Sequence, residues 1–464
     1  MGGLFRSVTF AKPCLFSQLT YNWGHNSKRG CGTKHVRRLN FAALALTAAA
    51  LAWLAFGRAA ADPGDTIADV VFGLSGGEPT SVAVDAIGNV YIVDAPNSRV
   101  LEYDSPLTTD TVADRVFGQG GSFTTNNCNM VGYGGLSPNT LCTPYGVAVD
   151  ADGNVYISDA GNNRLVEYDS PLTTDTVADR VILDCGCTVG LAVDSNGNLY
   201  VADEGRSRVL EYDSPLTTDT LPDRVFGQGG SFTTGVCNKG GMSASSLCNP
   251  GGVAVDRNGN LYVTETTNHR VLEYDSPLTT DTVADRIFGQ GGSFTADYHC
   301  SGPAAISASS LCDPFGAAVD GNGNVYISDA DWNRILEYDS PLTTDAVADR
   351  VFGQGGSFTI PAPGHDEGGL WVPHGLAVDM SDNVYVADAG NRRVLEYDAP
   401  LLTPSPPGGT SGAVGGIVEL SISGSDSPQP GGTGSSPSVV PIALAGMVGV
   451  MLGGWWYARR RWLR

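Results

Sequence analysis

The sequence predicts an all-β fold: a six-bladed β-propeller of four-stranded antiparallel blades. Three observations predict it. One pattern recurs six times between two chemically distinct ends. Each copy consists of short apolar runs separated by Gly- and Asn-containing turns, the signature of strands and hairpins rather than helices. The array is also permuted, because a fourth-strand segment stands alone before the first copy and is missing after the last. Helices are expected only as an N-terminal signal and a C-terminal membrane span.

Each copy reads as a Gly-Val-Ala-Val-Asp run, a Gly-Asn turn, a Val-Tyr-Ile-Ser-Asp run, an Asn-x-Arg corner, then Val-Leu-Glu-Tyr-Asp. The first run ends at Asp85, Asp150, Asp194, Asp256, Asp320 and Asp379, spaced by 65, 44, 62, 64 and 59 residues. Asp-Gly-Asn at 152–154 and Asn-Gly-Asn at 196–198 and 258–260 are hairpin signals joining the first two strands. A fourth strand, for example Val112–Gly118, follows a stereotyped Asp-Ser-Pro-Leu-Thr-Thr-Asp loop. The orphan copy of that strand is Asp65–Gly73, whereas the sixth unit runs from Tyr397 straight into a Pro-rich segment. Pairing the orphan with the last unit shuts a ring and leaves no open edge.

Val-Ala-Val-Asp…Gly-Asn-Val-Tyr-Ile-Ser-Asp-Ala-Gly-Asn-Asn-Arg (147–164) resembles an NHL repeat, and all six units fit over roughly 65–400. The resemblance implies a propeller that serves as a protein- or RNA-binding platform or, with specific additions, as a lyase or hydrolase. Charge argues against RNA. The stretch 62–438 holds all 49 acidic residues and 15 of the 27 basic ones, a field that repels phosphate backbones. No nucleic-acid partner is expected.

The ends read as targeting devices. Residues 1–61 form a leader in which Lys28, Arg29, Lys34, Arg37 and Arg38 precede the apolar run Phe41–Gly57. Ala59-Ala60-Ala61 follows as a cleavage site, with an uncleaved N-terminal membrane helix as the alternative. The propeller is assigned to 62–402 and a Pro/Gly/Ser-rich stalk to 403–438. A transmembrane segment at 439–457 would span about 28 Å as a helix. The basic tail 458–464 then faces the cytoplasm and the propeller faces outward. The tail also resembles bacterial surface-protein sorting signals, without an LPxTG-type motif. The expected location is the cell membrane, facing outside, as a monomer.

The eight cysteines after the leader fit an oxidising compartment. Cys128/Cys142, Cys237/Cys248 and Cys300/Cys312 bracket the same inter-blade insertion in three units, and each is expected as a loop-closing disulfide. Cys185 and Cys187 hold the equivalent place in the shortened unit and are expected to bridge as well. A reactive or metal-binding pair is the alternative there.

Each second strand ends in an acid and each third begins at an Arg: Asp94/Arg99, Asp159/Arg164, Asp203/Arg208, Glu265/Arg270, Asp329/Arg334 and Asp388/Arg393. Presence in every blade favours ion pairs that hold loops in register over a ring of ligand-binding groups. Asp150 and Asp152 lack the closing acid of a calcium loop and read as turn chemistry. Gly-Gln-Gly-Gly at 118–121, 227–230, 289–292 and 353–356 is turn material.

Insertions and corners gather on one face, the upper face, together with Tyr133, Tyr145, Phe315, Trp332, Trp371 and His374. These are read as exposed aromatics of a binding surface for a protein or carbohydrate ligand outside the cell. No catalytic residue is assigned. NHL-like lyases hold zinc with three histidines near inner-strand starts. The matching positions here are Thr80, Tyr145, Val189, Gly251, Phe315 and His374, with one histidine, short of what zinc requires. His269, His299 and His365 read as structural. Calcium at the channel mouth, as in lactonase-like propellers, is the one cofactor left open. A metal-dependent lyase or lactonase-type hydrolase is therefore the alternative to a binding module.

Overall fold

A computed structural model describes residues 66–398 apart from 75, 130–135, 172–174, 185–187, 216–219, 297–299, 301–305 and 367. The leader, the stalk, the proposed span at 439–457 and the Cys185/Cys187 pair lie outside these residues. No helix among the described residues is long and apolar enough to cross a membrane.

Among the described residues twenty-four strands, numbered in chain order, build six antiparallel four-stranded sheets. Blade one comprises β2 (Pro79–Val84), β3 (Val90–Asp94), β4 (Arg99–Tyr103) and β5 (Arg115–Phe117), from axis to rim. Blade six takes β22 (Pro373–Val378), β23 (Val384–Asp388) and β24 (Arg393–Tyr397) from the C-terminal end. Its rim strand is β1 (Val70–Gly73), in register Val71↔Leu395 and Phe72↔Val394. The ring is closed by the orphan segment, as the permutation predicts.

The rim strands are shorter than the sequence run. Residues 112–114 lie in the loop before the strand, where Asp110 Oδ1 accepts from Val112 N at 2.8 Å and Asp114 Oδ2 from Asp104 N at 2.9 Å. The inner hairpins are fixed by the terminal aspartate of the first strand. Asp85 Oδ1 accepts from the amides of Ile87 and Asn89, and Asp85 Oδ2 accepts from Asn89 Nδ2. Gly88 meets the left-handed conformation this turn requires, at φ +89°.

Each second strand is buried along its whole length, for example Val90–Asp94, because neighbouring blades cover both faces. Rim phenylalanines knit blade to blade: Phe117 meets Tyr168 edge-on at 5.0 Å, and Phe288 meets Tyr338 at 5.0 Å. Phe72 meets Tyr103 in the same way at 5.3 Å, so the closing strand packs on blade one as the others pack on their neighbours. Near the axis the inner strands approach so closely that a Cβ on Gly252 would lie 2.4 Å from the Phe315 carbonyl oxygen.

Candidate binding face

The upper face is built on six buried acid–arginine corners. Arg99, Arg164, Arg208, Arg334 and Arg393 each place Nε 2.7–2.8 Å from Asp94, Asp159, Asp203, Asp329 and Asp388. Arg270 pairs with Glu265 likewise. All six acids are fully buried. The second acid oxygen then reaches into the preceding insertion: Asp159 Oδ1 accepts from Cys142 N at 2.6 Å, Glu265 Oε1 from Cys248 N at 2.7 Å and Asp329 Oδ1 from Cys312 N at 2.6 Å. Arg334 Nη2 donates to the carbonyls of Ser307 and Ser310, and Nη1 to that of Phe358. In blades two, four, five and six the acid therefore fastens the preceding insertion to its blade. Asp203 Oδ1, in the blade whose preceding insertion is deleted, has no such donor among the described residues.

Disulfides join Cys128–Cys142, Cys237–Cys248 and Cys300–Cys312, so the insertions are held at their bases twice over. Gln119 of the Gly-Gln-Gly-Gly turn is buried and donates to the carbonyls of Ser98 and Asn127. Asn97, Asn162, Asn268 and Asn391 each donate to the acid of their own corner.

Three of the six aromatic and histidine side chains assigned to this face come together. Tyr145 of blade two and Phe315 of blade five lie opposite each other and meet across the axis, ring centroids 5.7 Å apart. His374 stacks on Phe315 at 4.4 Å. These rings sit where the inner strands begin, and Tyr145 and Phe315 border an axial cavity of about 50 Å³, room for little more than a few waters. Burial lowers His374 to about 4, and its Nδ1 has no hydrogen-bond partner among the described residues. Burial pushes the Tyr145 hydroxyl up to about 12, with Glu204, Glu78 and Asp313 adding to the shift. Three acids thus act electrostatically on Tyr145.

Trp332 departs from the expectation of an exposed contact residue. It is buried against Ile306 and Cys312, with Arg334 over its ring at 5.0 Å. The 306–312 segment covers it, which the sequence of the corner alone does not reveal. Trp371 is 41 % exposed and edge-on to His365, and Tyr133 lies outside the described residues. Glu204 and Asp313 were missed in the sequence reading, although Glu204 carried a signal: it replaces the alanine or threonine that follows the corner acid in the other units.

The donor set does not fit a three-histidine zinc centre, because Tyr145 and Phe315 fill the axis beside the single His374. Among the described residues, one group of three has ligand atoms within 4.8 Å of one another: His269, Cys300 and Cys312. Its sulfurs are joined in a disulfide, and His269 Nδ1 accepts from Asp313 N at 3.1 Å. At the lower end the channel opens into a mouth of about 240 Å³. Asp85, Asp150, Asp194 and Asp379 line it, yet their carboxylates are engaged by the hairpin turns.

The strand–turn–strand unit that repeats around this ring matches the NHL repeat at residues 141–168, 189–212, 247–274 and 370–397. Four of the six repeats thus match the NHL repeat. The matches fall in blades two, three, four and six, and blades one and five share their geometry. No curated protein matches the chain. Among solved structures it is similar to a streptogramin B lyase, with 13 % identity over 70 % of this chain and 96 % of that one and a TM-score of 0.38. A nidogen/laminin complex gives 17 %, 64 %, 84 % and 0.39. An auxiliary nutrient binding protein from Bacteroides thetaiotaomicron gives 16 %, 70 %, 69 % and 0.45.

Proposed function

We propose that this chain is a secreted, membrane-tethered binding module whose NHL propeller takes a cationic, partly apolar protein or peptide ligand on its upper face. The observation that carries this reading is the Tyr145–Phe315–His374 trio. It closes the axis at that face, and Glu204, Glu78 and Asp313 act electrostatically on its Tyr145. A closed axis favours recognition on a surface over chemistry in a channel. Aromatic faces beside carboxylates favour Lys- or Arg-bearing partners. The doubly fastened insertions hold that surface rigid, which lowers the ordering cost of binding. The leader, the apolar 439–457 segment and the three disulfides support an outward-facing location.

Panning phage-displayed peptides on the purified protein tests this reading, with selected peptides re-measured against a Phe315→Ala/Trp371→Ala variant. Enrichment of Lys- and Arg-bearing peptides that bind the variant at least tenfold more weakly is expected. Failure to enrich peptides, or equal binding to the variant, overturns the reading. Enrichment of uncharged sequences, or binding of glycans alone, overturns the choice of ligand class.

A further inference from the structure

One row of side chains repeats across the blades, on the side away from the aromatic trio. In blade one the register sets Ala83, Tyr91, Glu102 and Arg115 side by side. Arg180, Arg224, Arg286 and Arg350 take the fourth place in blades two to five. In blade six the row reads Ala377, Tyr385, Glu396, Val70. The closing strand supplies the backbone of the missing rim strand but not its arginine.

The arginine answers a specific electrostatic need. Glu102 is fully buried, and Asp104, two residues on and therefore on the same side of the strand, lies within hydrogen-bonding reach of it. Arg115 Nη1 stands 3.3 Å from Glu102 Oε2 and 3.5 Å from Asp104 Oδ1, so one guanidinium serves both acids. Arg180 does the same for Glu167 and Asp169 at 3.5 and 3.6 Å. Glu396 and Asp398 repeat the acid pair without that cation. Glu396 is fully buried, and among the described residues its oxygens find no hydrogen-bond partner beyond Asp398, as the glutamates of blades two to five find none beyond their own paired aspartates; what blade six alone lacks is the arginine. The charged groups that bear on it are Asp398, Asp69 and Asp379, all acids.

We propose that a divalent cation of the calcium type binds at Glu396 and Asp398, in the place a guanidinium holds in the other blades. The donors are all oxygens, which selects a hard cation over zinc or copper. Val70 is shorter than arginine by the guanidinium and part of its stem, which leaves the charge position vacant. Two carboxylates supply the first ligands and water completes the shell. Because an acid pair so close shares a proton when alone, binding releases that proton. The site lies on the seam between the two ends of the propeller, so the ion would brace the closure. It is independent of the upper-face reading.

The test uses the purified full chain in detergent, stripped with chelator and titrated with terbium. Excitation of tyrosine, with Tyr385 beside Glu396 in the row, is followed by competition with calcium. One saturable, calcium-competed ion is expected for the natural sequence. Glu396→Gln should weaken it more than tenfold, and Val70→Arg, which restores the repeat and removes no acid, should abolish it. Calcium should also raise the melting temperature of the natural chain and leave that of Val70→Arg unchanged. Absence of a saturable ion, or binding by either variant equal to that of the natural chain, overturns the proposal.

Discussion

Asp398 donates its backbone amide to Asp69 Oδ2 at 3.0 Å, across 329 positions of sequence. The same contact exists inside blade one, where Asp104 N donates to Asp114 Oδ2 at 2.9 Å. The closing strand therefore reproduces a blade's own capping chemistry as well as its pairing. Phe72, fully buried against Tyr103, anchors this seam. Phe72→Ala should cost about 3–5 kcal/mol of stability, as a buried phenylalanine truncation does, measured by chemical denaturation. A loss near zero would mean that the seam contributes little to the folded ring.

Arg334 and Asp329 are both fully buried. Arg334→Ala leaves a carboxylate without its counter-charge and frees the carbonyls of Ser307, Ser310 and Phe358. A loss of about 3–5 kcal/mol is expected, and Arg334→Lys should recover little of it, since an ammonium cannot reproduce the planar fork. Arg99, at 13 % side-chain exposure, should be less sensitive to the same change. Equal tolerance at both positions would contradict the fastening role.

Protonation of the buried glutamates sets the pH dependence. Burial, reinforced by the aspartate two residues on, raises Glu102, Glu167, Glu211 and Glu273 to about 8 and Glu337 and Glu396 to about 9. The fold then holds more protons than the unfolded chain above its ordinary carboxylate range, so stability falls as pH rises towards 8 and 9. His374, lowered to about 4 by burial, acts oppositely. Its contribution is lost as pH falls from the ordinary histidine range towards 4. Six groups outweigh one, and the melting temperature measured in chelator should rise when pH is lowered from roughly 8.5 to roughly 6. A flat or falling profile would show that these glutamates stay ionised in the fold.

Trp332 marks the limit of what the sequence disclosed. Blade number, strand order and the closing segment were legible, because period-two patterning and turn residues act locally and the repeat multiplies each signal. The acid–arginine corners were legible for the same reason. Whether a corner aromatic is covered depends on the path of an insertion that has no repeat to read, and the Tyr145–Phe315 contact depends on two opposite blades facing each other. The missing arginine at Val70 was in plain view in the orphan copy, but its meaning required the register. Trp332→Ala should cost about 3–5 kcal/mol and leave the peptide binding of the upper face unchanged once folded. Weakened binding without lost stability would return Trp332 to the contact surface.

Closure by the N-terminal strand underlies every placement above, and a cross-strand bond tests it most directly. Val71 and Leu395 are register partners. A Val71→Cys/Leu395→Cys chain, oxidised and mapped by non-reducing peptide analysis, should yield an intramolecular peptide linking positions 71 and 395. Chains that stay reduced at these positions, or that cross-link only between molecules, would contradict the closed six-bladed ring.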